Sequence, residues 1–303
     1  MINRRQFIKT TSGALAFALP AMHFTRKRPV TYPAPGVQLF TFYNTLDGDV
    51  QGTLAKAAEA GVKNIESAFS KKGDYYGMPA KQFTQLLSNL GMQWRSHHVF
   101  GMPFKLPAGA KDASGKPMTI PPMKNLKENL QQILDDAQAG GLEYIVAAHL
   151  PISTSDEIKL SLNILNASAG PCKKAGIQLV YHNEPADFKV IDGKTPYETF
   201  LTQTDVSELK FELDIPWAIK AGQKPEDLFS RYPGRFPLWH LKDLSQDYST
   251  VLPIGDGVLD FKKFFALAGQ SGLKYYFIEH EAAQDPIASI TKSIKTLQTI
   301  TNN

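Results

Sequence analysis

Short apolar runs alternate along this chain with amphipathic stretches, and a glycine stands at joint after joint between them. The joints read Ala60-Gly61-Val62, Leu90-Gly91-Met92, Gly140-Gly141-Leu142, Ala175-Gly176-Ile177 and Ser271-Gly272-Leu273. A glycine just past the last helical turn takes the left-handed conformation that closes a helix, so each copy predicts a helix handing over to a strand. Residues 37–42 open the series as a strand, and residues 209–214 and 236–241 fill its later gap, for about eight strands in all. Strand and helix alternating at that pace imply a parallel sheet, and this many strands with no break imply one α/β domain, a single (β/α)8 barrel over residues 31–303. A doubly wound open sheet is the alternative. It lacks a glycine-rich phosphate fingerprint, since Gly255-Asp256-Gly257 follows no strand of the right kind.

Several strands are apolar along their length and polar at the C-terminal tip. Residues 236–243 read Phe-Pro-Leu-Trp-His-Leu-Lys-Asp, and the same ending recurs in Tyr181-His182-Asn183-Glu184, Glu212-Leu213-Asp214 and Ile278-Glu279-His280-Glu281. Side chains alternate along a strand, so Leu238, His240 and Lys242 share one face and Trp239, on the other, belongs to the core under the helices. By the same parity Val180, His182 and Glu184 share a face, as do Glu212 and Asp214, and Phe277, Glu279 and Glu281. Carboxylates and imidazoles from four adjacent strands then converge at one end of the barrel. Buried carboxylates without partners are costly, and one cation would explain them together. Mixed oxygen and nitrogen donors suit a divalent Mn, Co, Zn or Mg. Taken singly, Glu184 reads equally as a solvated carboxylate, Asp214 as a helix N-cap, His240 as a satisfied core histidine and Glu279 as the partner of a lysine.

Two irregular stretches follow strands. Residues 101–123, rich in proline, glycine and lysine, come directly after the third strand, where a loop lies over the barrel mouth. Residues 243–257 follow the seventh.

The formal charge of +4 changes meaning once its location is considered. Arg4, Arg5, Lys9, Arg26, Lys27 and Arg28 precede the first acid, Asp47, and without them 27 bases face 29 acids. The basic balance belongs to the leader, so a nucleic-acid partner loses its electrostatic support. Arg4-Arg5-Gln6-Phe7-Ile8-Lys9 and a mildly apolar run over residues 12–24 resemble a twin-arginine export signal, with a disordered basic terminus as the alternative. That run is too short to span a bilayer, so the expectation is a leader over residues 1–30 and an exported, periplasmic protein with no integral membrane segment in its mature form. The single Cys172 excludes an internal disulfide.

The stretch 36–42 (Gly-Val-Gln-Leu-Phe-Thr-Phe), Tyr181-His182-Asn183, residues 211–218 with Ala221-Gly222, Tyr232-Pro233-Gly234-Arg235 running into residues 240–243, residues 254–261 and residues 275–279 together resemble the sugar phosphate isomerase/epimerase family, of the xylose isomerase-like barrel superfamily. The resemblance covers nearly everything after residue 36. It implies a divalent metal held by Glu, Asp, His and Glu from strands five to eight, which fall on Glu184, Asp214, His240 and Glu279. Relatives often read Tyr-His-Asn-His where this chain has Glu184, so Glu184 and His182 can exchange roles. Around the metal the expected substrate and proton-transfer groups are Glu66, His98, His182, Lys242 and Trp217, with Glu184 and Glu279 also catalytic. His98 is preferred over His97 because it shares a face with Trp94 and Ser96 and precedes a valine.

The implied chemistry is proton abstraction beside a sugar carbonyl, giving isomerisation or epimerisation, on a free sugar or a 3-keto sugar because sugar phosphates are cytoplasmic. A 3-keto-glycoside lyase or hydrolase-like elimination, a non-catalytic carbohydrate-binding barrel, and the superfamily's multi-zinc endonuclease branch are the rivals; the last needs more ligands than the chain assembles. The expected partner is a small sugar or glycoside, and a homo-oligomer stays open.

Overall fold

The computed structural model describes residues 31–301 except 105, 107, 108, 112–114 and 118–122. The expected export signal and leader, residues 1–30, lie outside the described residues. Eight parallel strands close a barrel: β1 (Gly36–Gln38), β2 (Asn64–Ser67), β3 (Gln93–Phe100), β4 (Tyr144–His149), β5 (Gln178–His182), β6 (Leu209–Asp214), β7 (Leu238–Leu241) and, after a short ribbon of β8 (Asp243–Leu244) and β9 (Val251–Leu252), β10 (Tyr275–Ile278). Closure is made by β1, whose Gly36 pairs with Asn64 on one side and Phe277 on the other. A Cβ at Gly36 would lie 2.6 Å from the Tyr276 carbonyl oxygen, so only glycine lets the first strand meet the last. Among the described residues no helix is long and apolar enough to cross a membrane.

The helix-to-strand joints form as the glycine pattern predicts. Gly141, for example, ends the helix Leu126–Gly140 at φ 72°, and that helix starts where the Asn125 side chain accepts from the Glu128 amide at 3.0 Å. The floor of the barrel is a small apolar layer of Tyr144, Val146, Val180, Leu238 and Phe277. The larger core lies between sheet and helices, where Trp239 is fully buried and stacks on Phe229 at 5.2 Å.

Three local expectations are corrected. Residues 37–42 are not one strand: Gln38 ends β1, its side-chain oxygen accepts from the Phe40 amide at 3.1 Å, and Leu39–Phe42 turn into a 3-10 helix. Trp94 does not share the face of His98, because a bulge pairs Ile65 with Trp94 but Glu66 with Ser96, leaving Arg95 over and resetting the alternation. Trp94 therefore points outward to Phe83 and Tyr75 while Ser96 and His98 point in. Lastly, β5 ends at His182, so Glu184 follows no strand parity; it starts a 3-10 turn over Pro185–Phe188, its amide donating to Asp187 Oδ2 at 2.9 Å.

The segment after β7 is locked by Asp243. Its buried carboxylate accepts from the amides of Leu244 (2.9 Å), Gly255, Gly257 and Leu259 (each 3.0 Å), curling the ribbon back over the end of β7. Asp243→Ala leaves four amides without their acceptor, and we expect a loss of about 3 kcal/mol in stability, with early amide exchange over residues 251–259. An unchanged urea midpoint would show that solvent replaces the carboxylate at no cost.

Candidate active site

The strand tips at the C-terminal end of the barrel carry two stacked tiers of ionisable groups, and His240 belongs to both. In the inner tier Glu66 Oε1 lies 2.5 Å from His240 Nε2 and 3.0 Å from His98 Nε2, and accepts from Gln38 Nε2 at 2.9 Å; its Oε2 accepts from Ser96 Oγ at 2.6 Å. Glu212 Oε2 faces the same two imidazoles, 2.9 Å from His98 Nε2 and 3.2 Å from His240 Nε2, and lies 3.0 Å from His182 Nδ1. The rings of His98 and His240 are parallel, 5.3 Å apart.

In the outer tier His240 Nδ1 is 3.1 Å from Glu279 Oε2 and 3.9 Å from Asp214 Oδ2. The Lys242 ammonium fills the space among the carboxylates, 2.9 Å from Asp214 Oδ2, 2.8 Å from Glu279 Oε2 and 2.6 Å from Glu281 Oε1, with the Trp217 ring 4.3 Å away. Asp214 has two tasks. Oδ1 accepts from the Trp217 amide at 2.8 Å and caps the helix Ile215–Lys220, which turns Oδ2 into the barrel. Its backbone is fixed by Asn183, whose Oδ1 accepts from the Asp214 amide at 3.0 Å.

Burial and charge together set the protonation of these groups. Burial pushes the Glu66 carboxyl upward, but the facing His98 and His240 win and hold it well below the usual carboxylate range. Burial works against a charge on His98 too, yet Glu66 and Glu212 raise its pKa to about 9, and the same two carboxylates with Glu279 raise His240 well above the ordinary value. For His182 burial and repulsion by His240 and His98 act in one direction, so it stays neutral. Burial and the charge of Glu66 push Glu212 up to about 7. Two imidazoliums thus sit beside one firm and one wavering carboxylate, and a neutral imidazole stands at the edge.

Of the residues singled out from sequence, the structure brings Glu66, His98, His182, Asp214, His240, Lys242, Glu279 and Trp217 into this assembly. Glu184 stands apart: 53% of its side chain is exposed and its Oε1 is 3.9 Å from His182 Nε2. Desolvation and the charge of Asp214 push its carboxyl upward, though solvent at that exposure limits the rise. Sequence reasoning passed over Gln38, Ser96 and Glu281 as site residues and left Glu212 unassigned. Glu212 shares strand parity with Asp214 on β6, which was a usable signal, whereas Glu281 lies in a turn beyond β10 and nothing local marks Gln38 or Ser96. His97 turns outward, its Nδ1 2.7 Å from Ser67 Oγ.

Among the described residues two groups of donor atoms are close enough to hold one metal ion: Asp214, His240 and Glu279, and, one tier deeper, His98, His182, Glu212 and His240. Two buried oxygens, Asp214 Oδ2 and Glu212 Oε1, make no hydrogen bond. Asp214 Oδ2 keeps at close range only its ion pair with Lys242, and buried carboxylate oxygens left short of hydrogen bonds with imidazole nitrogens beside them suit a divalent cation.

A family model for the xylose isomerase-like TIM barrel matches residues 54–300. A sugar phosphate isomerase/epimerase from Parabacteroides distasonis superposes with a TM-score of 0.69 at 25% identity, covering 88% of this chain and 98% of the other. A xylose isomerase-like TIM barrel protein from Mycobacterium smegmatis, solved in complex with magnesium, superposes with a TM-score of 0.64 at 14% identity, covering 89% and 97%. Over 153 residues the chain is 24% identical to an inosose dehydratase from Bacillus cereus; the match spans 45% of this chain and 50% of the length of that enzyme.

The raised pKa of His98 makes stability depend on pH. Its contribution is full below about 6.5, the value of a free imidazole, and is lost as pH rises through about 9. In metal-free protein we expect urea unfolding to show wild type losing on the order of 3 kcal/mol relative to His98→Gln between pH 6 and pH 9.5. Equal slopes for the two would mean that His98 is neutral in the fold.

Proposed function

Since the chain belongs to the xylose isomerase-like TIM barrel family, we propose that it is a metal-dependent enzyme of the sugar isomerase/epimerase type, moving a proton beside a carbonyl. The observation that carries this reading is the buried meeting of Asp214, His240 and Glu279 at the barrel mouth, with Asp214 Oδ2 held at close range by nothing but its ion pair with Lys242, beside imidazoles held in opposite protonation states. Asp214, His240 and Glu279 would hold the metal, with Glu184 or His182 as a fourth ligand. When bound, the metal would supply Lewis-acid polarisation of the substrate carbonyl.

The chain's own groups do the rest. With Glu184 as the fourth ligand, His182 is left free as a base: it presents its Nδ1 to Glu212, which favours the tautomer with a bare Nε2 on the cavity side, a position suited to accept a proton from carbon. His98, protonated near neutral pH and lining the same cavity, can return one. Glu66, fixed by Gln38 and Ser96, holds His98 and His240 in place, and Lys242 keeps positive charge where negative charge would develop. If Glu184 instead delivers a proton to a leaving oxygen, the same arrangement performs elimination, the reaction class of a dehydratase or a 3-keto-glycoside lyase; its raised carboxyl at the mouth favours that second reading.

We further propose that the protein is exported, on the support of Arg4-Arg5 followed by Phe7 and Ile8. Full-length chain carrying Arg4→Lys and Arg5→Lys should stay in the cytoplasmic fraction, and unchanged fractionation would refute a twin-arginine route.

Metal analysis of wild type, Asp214→Ala and His240→Ala is the direct test of the site. We expect stoichiometric divalent metal in wild type and none in the two variants, with the fourth ligand named by whichever of Glu184→Gln and His182→Gln weakens binding. The Lys242 ammonium competes for the same oxygens, so Lys242→Met should bind metal about tenfold more tightly, roughly 1.4 kcal/mol. Deuterium uptake from D2O into keto sugars and 3-keto glycosides reads the proton step. Metal without uptake on either class would leave a carbohydrate-binding barrel, and no metal after reconstitution would overturn the enzymatic reading.

A further inference from the structure

The mouth of the barrel is chemically divided. His182, Asp214, His240 and Lys242, and Glu279 come from the ends of β5, β6, β7 and β10, while the opposite half is aromatic. Phe40 after β1, Phe69 after β2 and Phe100 at the end of β3 touch in sequence, with ring centroids 5.8 and 5.9 Å apart, and Phe104 continues the row 5.1 Å beyond Phe100. Tyr43 closes the other end, 5.0 Å from Phe40. None of these five rings is fully buried. They form one wall of a cavity of about 390 Å3 whose other wall includes His98, His182, Glu184, Glu279 and Glu281.

Five adjoining rings left open to a cavity are costly in water unless something flat and poor in charge covers them. Covering is geometrically tied to the charged cluster, because both walls line one cavity of ligand size. The electrostatics point the same way. None of the described residues lining the cavity is lysine or arginine, and three are glutamates. Lys242, the cation beneath, is already held by three carboxylates. Among the described residues a phosphate placed against this wall would meet three glutamates, while the nearby cations are already engaged, His98 by Glu66 and Glu212 and Lys71 over the Tyr43 ring.

We propose that Phe40, Phe69, Phe100 and Phe104 form a binding subsite for the second, uncharged ring of a glycoside, an aryl aglycone or another pyranose, whose reacting sugar lies against His182 and Glu279. This rests on the carbohydrate reading of the same cavity and narrows it: the substrate is a neutral glycoside rather than a sugar phosphate. The aromatic wall supplies affinity through apolar contact with the ring face, and the charged half acts on the sugar.

The test is binding to metal-free protein by titration calorimetry and saturation-transfer NMR, using glucose, glucose 6-phosphate, cellobiose and 4-nitrophenyl β-glucoside. Cellobiose, the aryl glucoside or both should bind at least tenfold more tightly than glucose, with glucose 6-phosphate weakest; which of the two wins identifies the second ring as sugar or aryl. Phe69→Ala and Phe100→Ala should each lose about tenfold for the glycosides and leave glucose binding and metal content unchanged. Phe69→Leu and Phe100→Leu, which keep the apolar volume, should lose affinity in the same sense should either alanine variant fail to fold. Equal affinity for glucose and glycosides, tightest binding of glucose 6-phosphate, no binding of any probe, or variants that bind like wild type would each overturn the subsite. Metal content is read separately, so a failure of the metal reading is distinguishable from a failure of this one.

Discussion

Four carboxylates, those of Glu66, Glu212, Asp214 and Glu279, are nearly or fully removed from solvent inside one barrel, and the arrangement of everything near them follows from compensating that charge. Unpaired, each would cost several kcal/mol or shed its charge by protonation. His240 neutralises on two sides at once, its Nε2 toward Glu66 and Glu212 and its Nδ1 toward Glu279 and Asp214. Lys242 and His98 supply the remaining positive charge. Neutralisation is still incomplete, because Glu212 Oε1 has no partner and Asp214 Oδ2 has at close range only its ion pair with Lys242. A fold that retains such atoms at the open end of its barrel keeps a place where a cation gains most.

The scaffold makes this expensive site affordable by placing it at strand tips. The floor of Tyr144, Val146, Val180, Leu238 and Phe277 is apolar, and the helices enclose the sheet with the larger core. Backbone hydrogen bonding therefore does not depend on the polar groups above it. Local devices then aim the side chains. Asp214 is turned inward by the helix it caps, His98 is brought in by a bulge that resets β3, and the segment beyond Lys242 is pinned by the four amides on Asp243. Each is a backbone event that settles where a charged group points.

Charge on one side of the mouth and aromatic rings on the other give the cavity a direction. Strand order explains the division: β5, β6, β7 and β10 are consecutive in the closed sheet and carry most of the charge, while the aromatic rings follow or end the adjacent β1, β2 and β3, from which Glu66 and His98 reach across to the charged groups. Membership of the xylose isomerase-like family accounts for the barrel itself.

Much of this was legible from sequence, for reasons that are local. A glycine past a helix end requires left-handed backbone wherever the chain goes next, and Gly61, Gly91, Gly141, Gly176 and Gly272 all have positive φ, so the alternation that defines the barrel could be read directly. Asp214 and His240 were legible because a regular strand fixes which face a side chain takes, and Glu279 because its amide still donates to the Leu241 carbonyl one residue past the end of β10. Parity failed where the strand was not regular: past the end of β5 at Glu184, across the bulge at Arg95, and after Gln38, where β1 becomes a 3-10 helix. Only the closed barrel could decide that Glu66 meets His240 across 174 positions of chain, that Glu212 joins three imidazoles, and that Lys242 occupies the space among three carboxylates. Those distances depend on the stagger of strands far apart in sequence, and no stretch of residues carries that information by itself.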